Sequence, residues 1–142
     1  MRRVILFAVP VVFADQITKT IAAVGTGADA SPAVIDNAGS LAGIIPVDGL
    51  PLLVLAGLGL AGFIAVGNRL LIRGRIHPST LGLLAGGATG NLIDRVVLGS
   101  VRDFIWTRWL VINLADLALF LGAVLFIAAV YSRRRLDPVA RL

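Results

Sequence analysis

Long apolar stretches alternate with shorter polar segments along the chain. Four of the apolar stretches approach the ~20 residues that a helix needs to cross a bilayer. They cover, approximately, residues 4–24, 51–72, 79–98 and 112–132. This pattern predicts an all-α membrane protein with four transmembrane helices, organised as one domain over residues 1–142.

The composition agrees with a bilayer as the solvent for most of the chain. Of the 142 residues, 58% are hydrophobic and 15% are charged, which is far more apolar than soluble domains are. The chain has no cysteine, which excludes a disulfide and a thiolate nucleophile. In so apolar a chain, the net charge of +5 indicates membrane topology, and we expect no nucleic-acid partner.

Arginines form three clusters, which an even number of spans brings to one side of the membrane. The clusters precede helix one, close helix two and follow helix four: Arg2 and Arg3; Arg69, Arg73 and Arg75; and Arg133, Arg134, Arg135 and Arg141. The positive-inside rule makes this side cytoplasmic, so both termini are expected there. The segments 25–50 and 99–111 then form a small extracytoplasmic region with room for short strands.

The N-terminal segment also has features of a secretory signal peptide. Arg2 and Arg3 precede a short apolar run that ends in "VFA", with Ala14 before the cleavage position. Cleavage there would leave three spans and would place the basic clusters on the disfavoured side. The arginine pattern therefore favours a retained first helix.

Helix one contains two charged residues, Asp15 and Lys19. Placing a charged side chain in the hydrocarbon core costs several kcal/mol. Their i, i+4 spacing lets them neutralise each other on one helix face. Asp15 lies about 18 Å beyond Arg3 at a rise of 1.5 Å per residue, which is in the outer half of a ~30 Å hydrocarbon core.

Helix three carries a stripe of small residues and then a polar group. Gly82, Gly86 and Gly90 repeat at every fourth position, which allows another helix to approach closely. The polar group that follows consists of Asn91, Asp94 and Arg95. Because Asn91 and Asp94 are three residues apart, they lie on one face of the helix.

Helix four begins within "INLADLALF", where Asn113 and Asp116 again share a face. These two residues have two interpretations. Asn113 caps the helix and Asp116 complements its N-terminal dipole, or both belong to a functional site. Asp103 precedes them in the loop segment "VRDFIW".

All these polar residues share one depth near the outer surface, so we expect them to converge on a bundle interior or cavity. Asp15 and Lys19 can neutralise each other, and Asp94 and Arg95 can play a similar part with other polar groups. Asp103 and Asp116 are then the carboxylates without an obvious cationic partner. Two carboxylates held close together tend to share a proton. The ionised member can then act as a general base and the protonated member as a general acid, as in aspartic proteases.

Other hydrolytic chemistries fit the sequence less well. The single histidine, His77, lies in the cytoplasmic turn, opposite the polar cluster that a Ser–His–Asp triad would need. A Ser–Lys dyad would require a neutral Lys19, which Asp15 disfavours. The sequence has no HExxH motif or Cys/His cluster, so we expect no metal and no cofactor.

Four segments together resemble the bacterial lipoprotein signal peptidases (signal peptidase II), which are four-helix membrane aspartic peptidases. The segments are "DQITK" (15–19), "GGATGNLIDR" (86–95), "VRDF" (101–104) and "NLAD" (113–116). They occur in the order of that family and span most of the chain. The resemblance implies that Asp103 and Asp116 are the catalytic pair.

The resemblance also implies supporting and substrate-binding roles for other polar residues. Asp15 and Lys19 match the helix-one supports of the family. The other matched positions shape the site or hold the substrate: Asn37, Gly39, Gly90, Asn91, Asp94, Arg95 and Asn113. The chain departs from the family at Ala42, which stands at an aromatic position, and in the shorter segments 19–37 and 103–113.

The implied reaction removes the signal peptide from a diacylglyceryl-modified prolipoprotein by cleavage before the lipidated cysteine. The implied substrate arrives laterally from the outer leaflet of the bacterial cell membrane, where the site lies near the extracytoplasmic face. Cyclic lipopeptides of the globomycin type are the implied inhibitors. The sequence does not indicate an oligomeric state.

Two other classes of function stay open at this point. A small four-helix transporter would use Asp15 as a proton-linked carboxylate, but it gives no reason for the polar residues at the end of helix three and the start of helix four. A family member acting as a catalytically silent scaffold would bind substrate without cutting it, and a divergent paralogue of the peptidase would cut it only weakly.

Overall fold

The computed structural model describes residues 1–25, 34–37 and 49–136. Four long helices dominate these residues: α1 Arg2–Val24, α2 Gly49–Ile72, α3 Pro78–Leu98 and α4 Leu114–Leu136. Each contains a segment long and apolar enough to cross a membrane. The predicted fold, a membrane protein with four transmembrane helices, is confirmed.

Short strands form the region between the helix ends, as the sequence allowed. The strands are β1 Ile35–Asn37, β2 Val101–Asp103, β3 Ile105–Trp106 and β4 Val111–Ile112. β1 pairs antiparallel with β2, so that Ile35 lies opposite Asp103, and β3 pairs antiparallel with β4. The first pairing brings a segment that follows α1 against the segment that follows α3, and it places Asn37 near Asp103.

α3 is the central helix and packs against α1, α2 and α4. Its glycines permit the close approach that the sequence predicted. A Cβ at Gly82 would lie 2.5 Å from Phe7 Cβ, and one at Gly86 would lie 2.8 Å from the Ala8 carbonyl oxygen of α1. Gly87 faces the other way, and its Cβ would lie 2.5 Å from the Ala115 carbonyl oxygen of α4. Helix backbones therefore pack directly on both sides of α3.

The outer surfaces of the helices are strongly apolar. Large side chains such as Leu6, Phe13, Leu58 and Phe120 are each more than 60% exposed. A surface of this kind is stable against lipid rather than water. The chain is therefore a multi-pass membrane protein.

The end of the bundle that carries the N-terminus is basic. Val4 of α1 packs with Ile76 and Leu81, next to the turn between α2 and α3, and this end also carries the exposed Arg2 and Arg73. His77 lies there as the N-cap of α3, where its Nδ1 accepts a hydrogen bond from the backbone N–H of Ser79 at 3.3 Å. The polar residues singled out in the sequence lie at the opposite end.

Adding a methyl group at Gly86 is expected to destabilise the bundle, because the new Cβ meets the backbone of α1 rather than a movable side chain. We predict that Gly86→Ala lowers the free energy of unfolding by about 1–3 kcal/mol. The measurement is the thermal unfolding midpoint in detergent. Gly62→Ala is the matched control, because its Cβ would meet nothing within 4 Å. Equal midpoints for the two variants would contradict the packing described for α3.

Candidate active site

Asp15 and Lys19 form the predicted ion pair in the interior of the bundle. Both side chains are 0% exposed, and Lys19 Nζ lies 2.8 Å from Asp15 Oδ2. The other oxygen of Asp15, Oδ1, accepts a hydrogen bond from the backbone N–H of Ala115 at 2.9 Å. Because this N–H belongs to the first turn of α4, Asp15 joins α1 to the N-terminus of α4.

Lys19 has further partners on α3. Its ammonium group lies 3.3 Å from Asp94 Oδ2 and donates to Asn91 Oδ1 at 2.9 Å. With Asp15, these contacts provide one acceptor for each of its three N–H groups. The buried cation is therefore fully satisfied, which offsets the cost of removing it from water.

Asp15, Lys19 and Asp94 form an ionic cluster. Asp94 is its second buried carboxylate and is only 1% exposed. Arg102 donates to both of its oxygens, from Nη2 to Oδ1 at 2.8 Å and from Nε to Oδ2 at 3.2 Å. The backbone N–H of Arg102 donates to Oδ2 at 3.0 Å, and Gln16 Nε2 donates to Oδ1 at 3.0 Å. Asp94 thus joins α3 to both α1 and β2.

Sequence reasoning did not identify Gln16 and Arg102 as members of the site. Both lie inside quoted motifs, Gln16 within "DQITK" and Arg102 directly before Asp103. An arginine in an outer loop is ordinarily solvated, so its spacing alone gave no reason to place it against Asp94. Charge balance did not indicate Arg102 either, because Arg95, which directly follows Asp94, already supplied a second positive group.

Asn91 connects the ionic cluster to the carboxylates of the predicted catalytic pair. Its Oδ1 accepts from Lys19, so its Nδ2 must face the other way, where it donates to Asp116 Oδ1 at 2.8 Å. Asn91 Oδ1 also accepts from Asn113 Nδ2 at 3.1 Å. The lysine therefore determines the orientation of the Asn91 amide.

Asn113 caps α4, as one of the two interpretations predicted, and it also contacts Asp103. As the N-cap of α4, it accepts at Oδ1 from the backbone N–H of Asp116 at 2.9 Å, and Asp116 Oδ2 accepts from the backbone N–H of Asn113 at 3.2 Å. This reciprocal arrangement is a capping box. The Nδ2 group of Asn113 also donates to Asp103 Oδ1 at 2.6 Å, so the cap of α4 contacts both carboxylates.

Asp103 lies at the end of β2 and is only 3% exposed. Its Oδ1 accepts from Asn113, and its Oδ2 accepts from Asn37 Nδ2 of β1 at 3.1 Å. Burial raises the pKa of Asp103, and the nearby charge of Asp116 raises it further; the hydrogen bonds from Asn37 and Asn113 act in the opposite direction. Asp103 thus holds its proton to a higher pH than an ordinary aspartate does.

A cavity of about 720 Å³ opens beside these carboxylates. The predicted site residues that line it are Asn37, Asn91, Arg95, Asp103 and Asp116. The rest of its wall is mostly apolar and comes from α2, α3, α4, β2 and the β3–β4 hairpin: Ala56, Gly59, Leu60, Phe63, Leu84, Ala88, Val101, Leu110, Ile112, Leu119 and Phe120. The arrangement places two carboxylates at the polar part of an apolar cavity.

The other predicted site residues lie behind this cavity wall. Asp15, Lys19, Asp94 and Asn113 are buried there. Gly90 lies against Asp15, since a Cβ at Gly90 would approach Asp15 Oδ2 to 2.6 Å. Arg95, which lines the cavity itself, donates from Nη1 to the Asn91 carbonyl oxygen at 3.4 Å.

Two expectations from the sequence are not tested by this geometry. Gly39 and Ala42 lie outside the described residues. Within residues 1–25, 34–37 and 49–136, no group of three or more His, Cys, Asp or Glu side chains is placed to hold a metal ion. The absence of a metal and of a cofactor stays a prediction.

Removing the buried cation is expected to destabilise the protein, because Asp15 and Asp94 would lose their shared partner. We predict that Lys19→Met lowers the free energy of unfolding by about 3–5 kcal/mol. The double variant Asp15→Asn/Lys19→Met should recover part of this loss, since it removes one of the uncompensated charges. The check is thermal unfolding in detergent, with the exposed Arg73→Met as the control. A Lys19→Met protein as stable as that control would refute the pairing.

The raised pKa of Asp103 predicts a pH dependence of stability. A carboxyl group with a raised folded-state pKa stabilises the protein while it is protonated, and this contribution is lost as the pH rises through that pKa. Asn cannot ionise, so the melting temperature of Asp103→Asn relative to wild type should increase from about pH 4 to about pH 8. Gly62→Ala, which changes no titratable group, should give no such increase. A relative melting temperature for Asp103→Asn that stays flat or falls would contradict the burial effect.

Comparison with known proteins gives a consistent result. The family model described as "Signal peptidase (SPase) II" matches residues 7–132. The chain is 39% identical over 100 residues to a lipoprotein signal peptidase of Methylobacterium sp. (strain 4-46), an alignment covering 66% of this chain and 56% of that protein. A lipoprotein signal peptidase of Pelotomaculum thermopropionicum is 38% identical over 92 residues, covering 64% and 60%. The alignments thus span little more than half the length of these relatives.

Two solved structures share the fold over nearly their whole length. One is described as "Bacterial membrane enzyme structure by the in meso method at 2.3 A resolution"; it superposes with a TM-score of 0.71 at 27% identity and covers 98% of this chain and 91% of its own. A second, described in the same words at 1.9 Å resolution, has a TM-score of 0.67 at 28% identity and covers 89% and 91%. From the matched residues 7–132 and this shared architecture we conclude that the chain belongs to the signal peptidase II family.

Proposed function

We propose that the chain is a membrane aspartic endopeptidase that removes the signal peptide from diacylglyceryl-modified prolipoproteins. The observation that carries this proposal is the convergence of Asp103 and Asp116 on one cavity, where Asn91 and Asn113 hold them by hydrogen bonds. Family membership supports it, because the curated relatives are named lipoprotein signal peptidases. The proposed cleavage is at the peptide bond before the lipidated cysteine.

The reaction proposed for this pair is direct attack by water. Asp103, whose pKa is raised by burial, is the member suited to carry the proton and to donate it to the oxygen of the scissile carbonyl. Asp116 takes a proton from the water molecule while the water oxygen attacks the carbonyl carbon. The C–N bond then breaks, the leaving nitrogen receives the proton from Asp116, and Asp103 regains its own.

The cavity wall suits the lipid portion of the proposed substrate. Its apolar part is formed by side chains of α2, α3 and α4, among them Leu60, Phe63 and Leu119. An acyl chain placed there would be removed from water and would keep the scissile bond at the depth of the two carboxylates. Arg95 and Asn37, which line the same cavity, are the proposed contacts for the substrate backbone, and Gly39 is expected to join them.

The proposed location is the bacterial cell membrane, with the site near the extracytoplasmic face and both termini in the cytoplasm. The separation of Arg2 and Arg73 from the carboxylate end supports this orientation through the positive-inside rule. We further propose that membrane lipid contacts the helices and that globomycin-type cyclic lipopeptides inhibit the enzyme at this cavity. No nucleic-acid partner is proposed.

The contacts of Asp15 favour the peptidase over the transporter hypothesis. A proton carrier has to exchange its proton with water, whereas Asp15 is 0% exposed and bound to both Lys19 and Ala115 N–H. This geometry suits a structural carboxylate. The transporter and the weak paralogue remain testable by cleavage itself.

Replacement of either carboxylate of the pair is expected to abolish cleavage. We predict that Asp103→Asn and Asp116→Asn each reduce cleavage of a diacylglyceryl-modified prolipoprotein by at least ~10³-fold, since each loses one proton-transfer group. The measurement is a gel-shift assay in detergent. Asp36→Asn, an exposed residue of β1, should cleave like wild type. A folded Asp103→Asn or Asp116→Asn protein with full activity would disprove the assignment.

A further inference from the structure

Arg102 makes more contacts with the ionic cluster than its place in an outer strand predicts. Its guanidinium group donates to both oxygens of Asp94, and Nη2 also donates to Gln16 Oε1 at 3.0 Å. Its backbone N–H donates to Asp94 as well. One residue of β2 is thus joined to α1 and α3 through four hydrogen bonds.

We propose that Arg102 is a positioning residue for Asp103: it fastens β2 to α1 and α3 and so fixes the direction in which the Asp103 carboxyl points. The inference rests on the proposed catalytic role of Asp103. It adds a residue that acts through its neighbour and that does not line the cavity.

The geometry of a strand explains how the hydrogen bonds of Arg102 affect Asp103, the next residue. Successive side chains of a strand point to opposite faces. Once Arg102 is bound to Asp94 on one face, Asp103 is directed to the other face, where Asn37 and Asn113 meet its two oxygens. A rotation of β2 that freed Arg102 would also move Asp103 away from these amides.

Charge gives a second reason for an arginine here. Asp15 and Asp94 carry two negative charges, and Lys19 alone balances one of them. Arg102 supplies the second positive charge through its 2.8 Å contact with Asp94, and the pKa of Arg102 is raised by that hydrogen bond. The neutral cluster adds no net negative charge beside Asp103 and Asp116, whose pair has to cycle between protonation states.

The forked shape of the guanidinium group distinguishes Arg102 from a lysine. Two donors of one plane meet the two oxygens of Asp94 while Nη2 still reaches Gln16. Lysine at this position would keep the charge but lose the two-pronged geometry. We therefore expect the kcat of Arg102→Lys to lie between that of wild type and that of a variant that lacks both the charge and the two-pronged geometry.

The test compares Arg102→Met and Arg102→Lys with wild type in steady-state cleavage of a diacylglyceryl-modified prolipoprotein. The matched control is Arg108→Met, which removes an exposed arginine that stacks on Trp109 in the β3–β4 hairpin. All rates are expressed per folded molecule. We expect Arg102→Met to lower kcat by about 10-fold to 10²-fold with little change in KM, because small displacements of a catalytic group act on the chemical step.

The same variants are examined by amide hydrogen exchange of the segment 101–104, a readout that does not depend on cleavage. Exchange should accelerate in Arg102→Met, return part of the way in Arg102→Lys, and stay at the wild-type rate in Arg108→Met. The positioning role would be overturned by an unchanged kcat per folded molecule in Arg102→Met. In that case any loss of total activity would come only from a smaller fraction of folded protein. An unchanged exchange rate at 101–104 would also overturn it.

The two proposals fail in different ways. Wild-type protein that is folded but leaves the prolipoprotein intact would refute the proposed function. Wild-type protein that cleaves, together with an Arg102→Met variant that cleaves at the same rate, would refute only the inference on Arg102.

Discussion

The buried carboxylate of Asp15 determines how α1, α3 and α4 meet at the site. It is 0% exposed and carries its charge between two partners, Lys19 Nζ at 2.8 Å and the Ala115 N–H at 2.9 Å. Loss of either partner would leave a charge without compensation in an apolar interior, which costs several kcal/mol. Satisfying Asp15 therefore requires the start of α4 to lie against α1. Gly90 of α3 makes room for this meeting, because no Cβ fits beside the Asp15 carboxylate.

Neutral amides connect the Asp15 ion pair to the proposed catalytic pair, Asp103 and Asp116. Lys19 determines which atom of Asn91 faces Asp116, and Asn113 contacts Asp116 while it donates to Asp103. Charged partners would favour one ionisation state strongly, whereas amide donors hold the carboxylates in place at a smaller electrostatic bias. An arrangement of this kind suits groups that gain and lose protons during a reaction. The charges of Asp15, Lys19 and Asp94 lie behind the cavity wall, and Arg95 is the charged side chain among the described residues that line the cavity with the two aspartates.

Sequence reasoning identified the parts of this structure that depend on local pattern. Hydropathy identified the four helices, the i, i+4 spacing identified the Asp15–Lys19 pair, and the glycines of α3 predicted close packing. It did not find contacts between residues distant along the chain, such as Asp15 with Ala115 N–H or Arg102 with Asp94. These contacts depend on how α1, α3 and α4 are rotated against one another, and backbone donors have no sequence signature.

We propose that Asp103 and Asp116 hydrolyse a peptide bond of a lipid-modified precursor held in this cavity. The most direct measurement is the mass of the products formed when purified wild-type protein in detergent is incubated with a diacylglyceryl-modified prolipoprotein. We expect two products, produced by a cut immediately before the lipidated cysteine, whose summed mass exceeds that of the precursor by one water molecule. An intact precursor after incubation with folded protein, or a cut at another bond, would contradict the proposal.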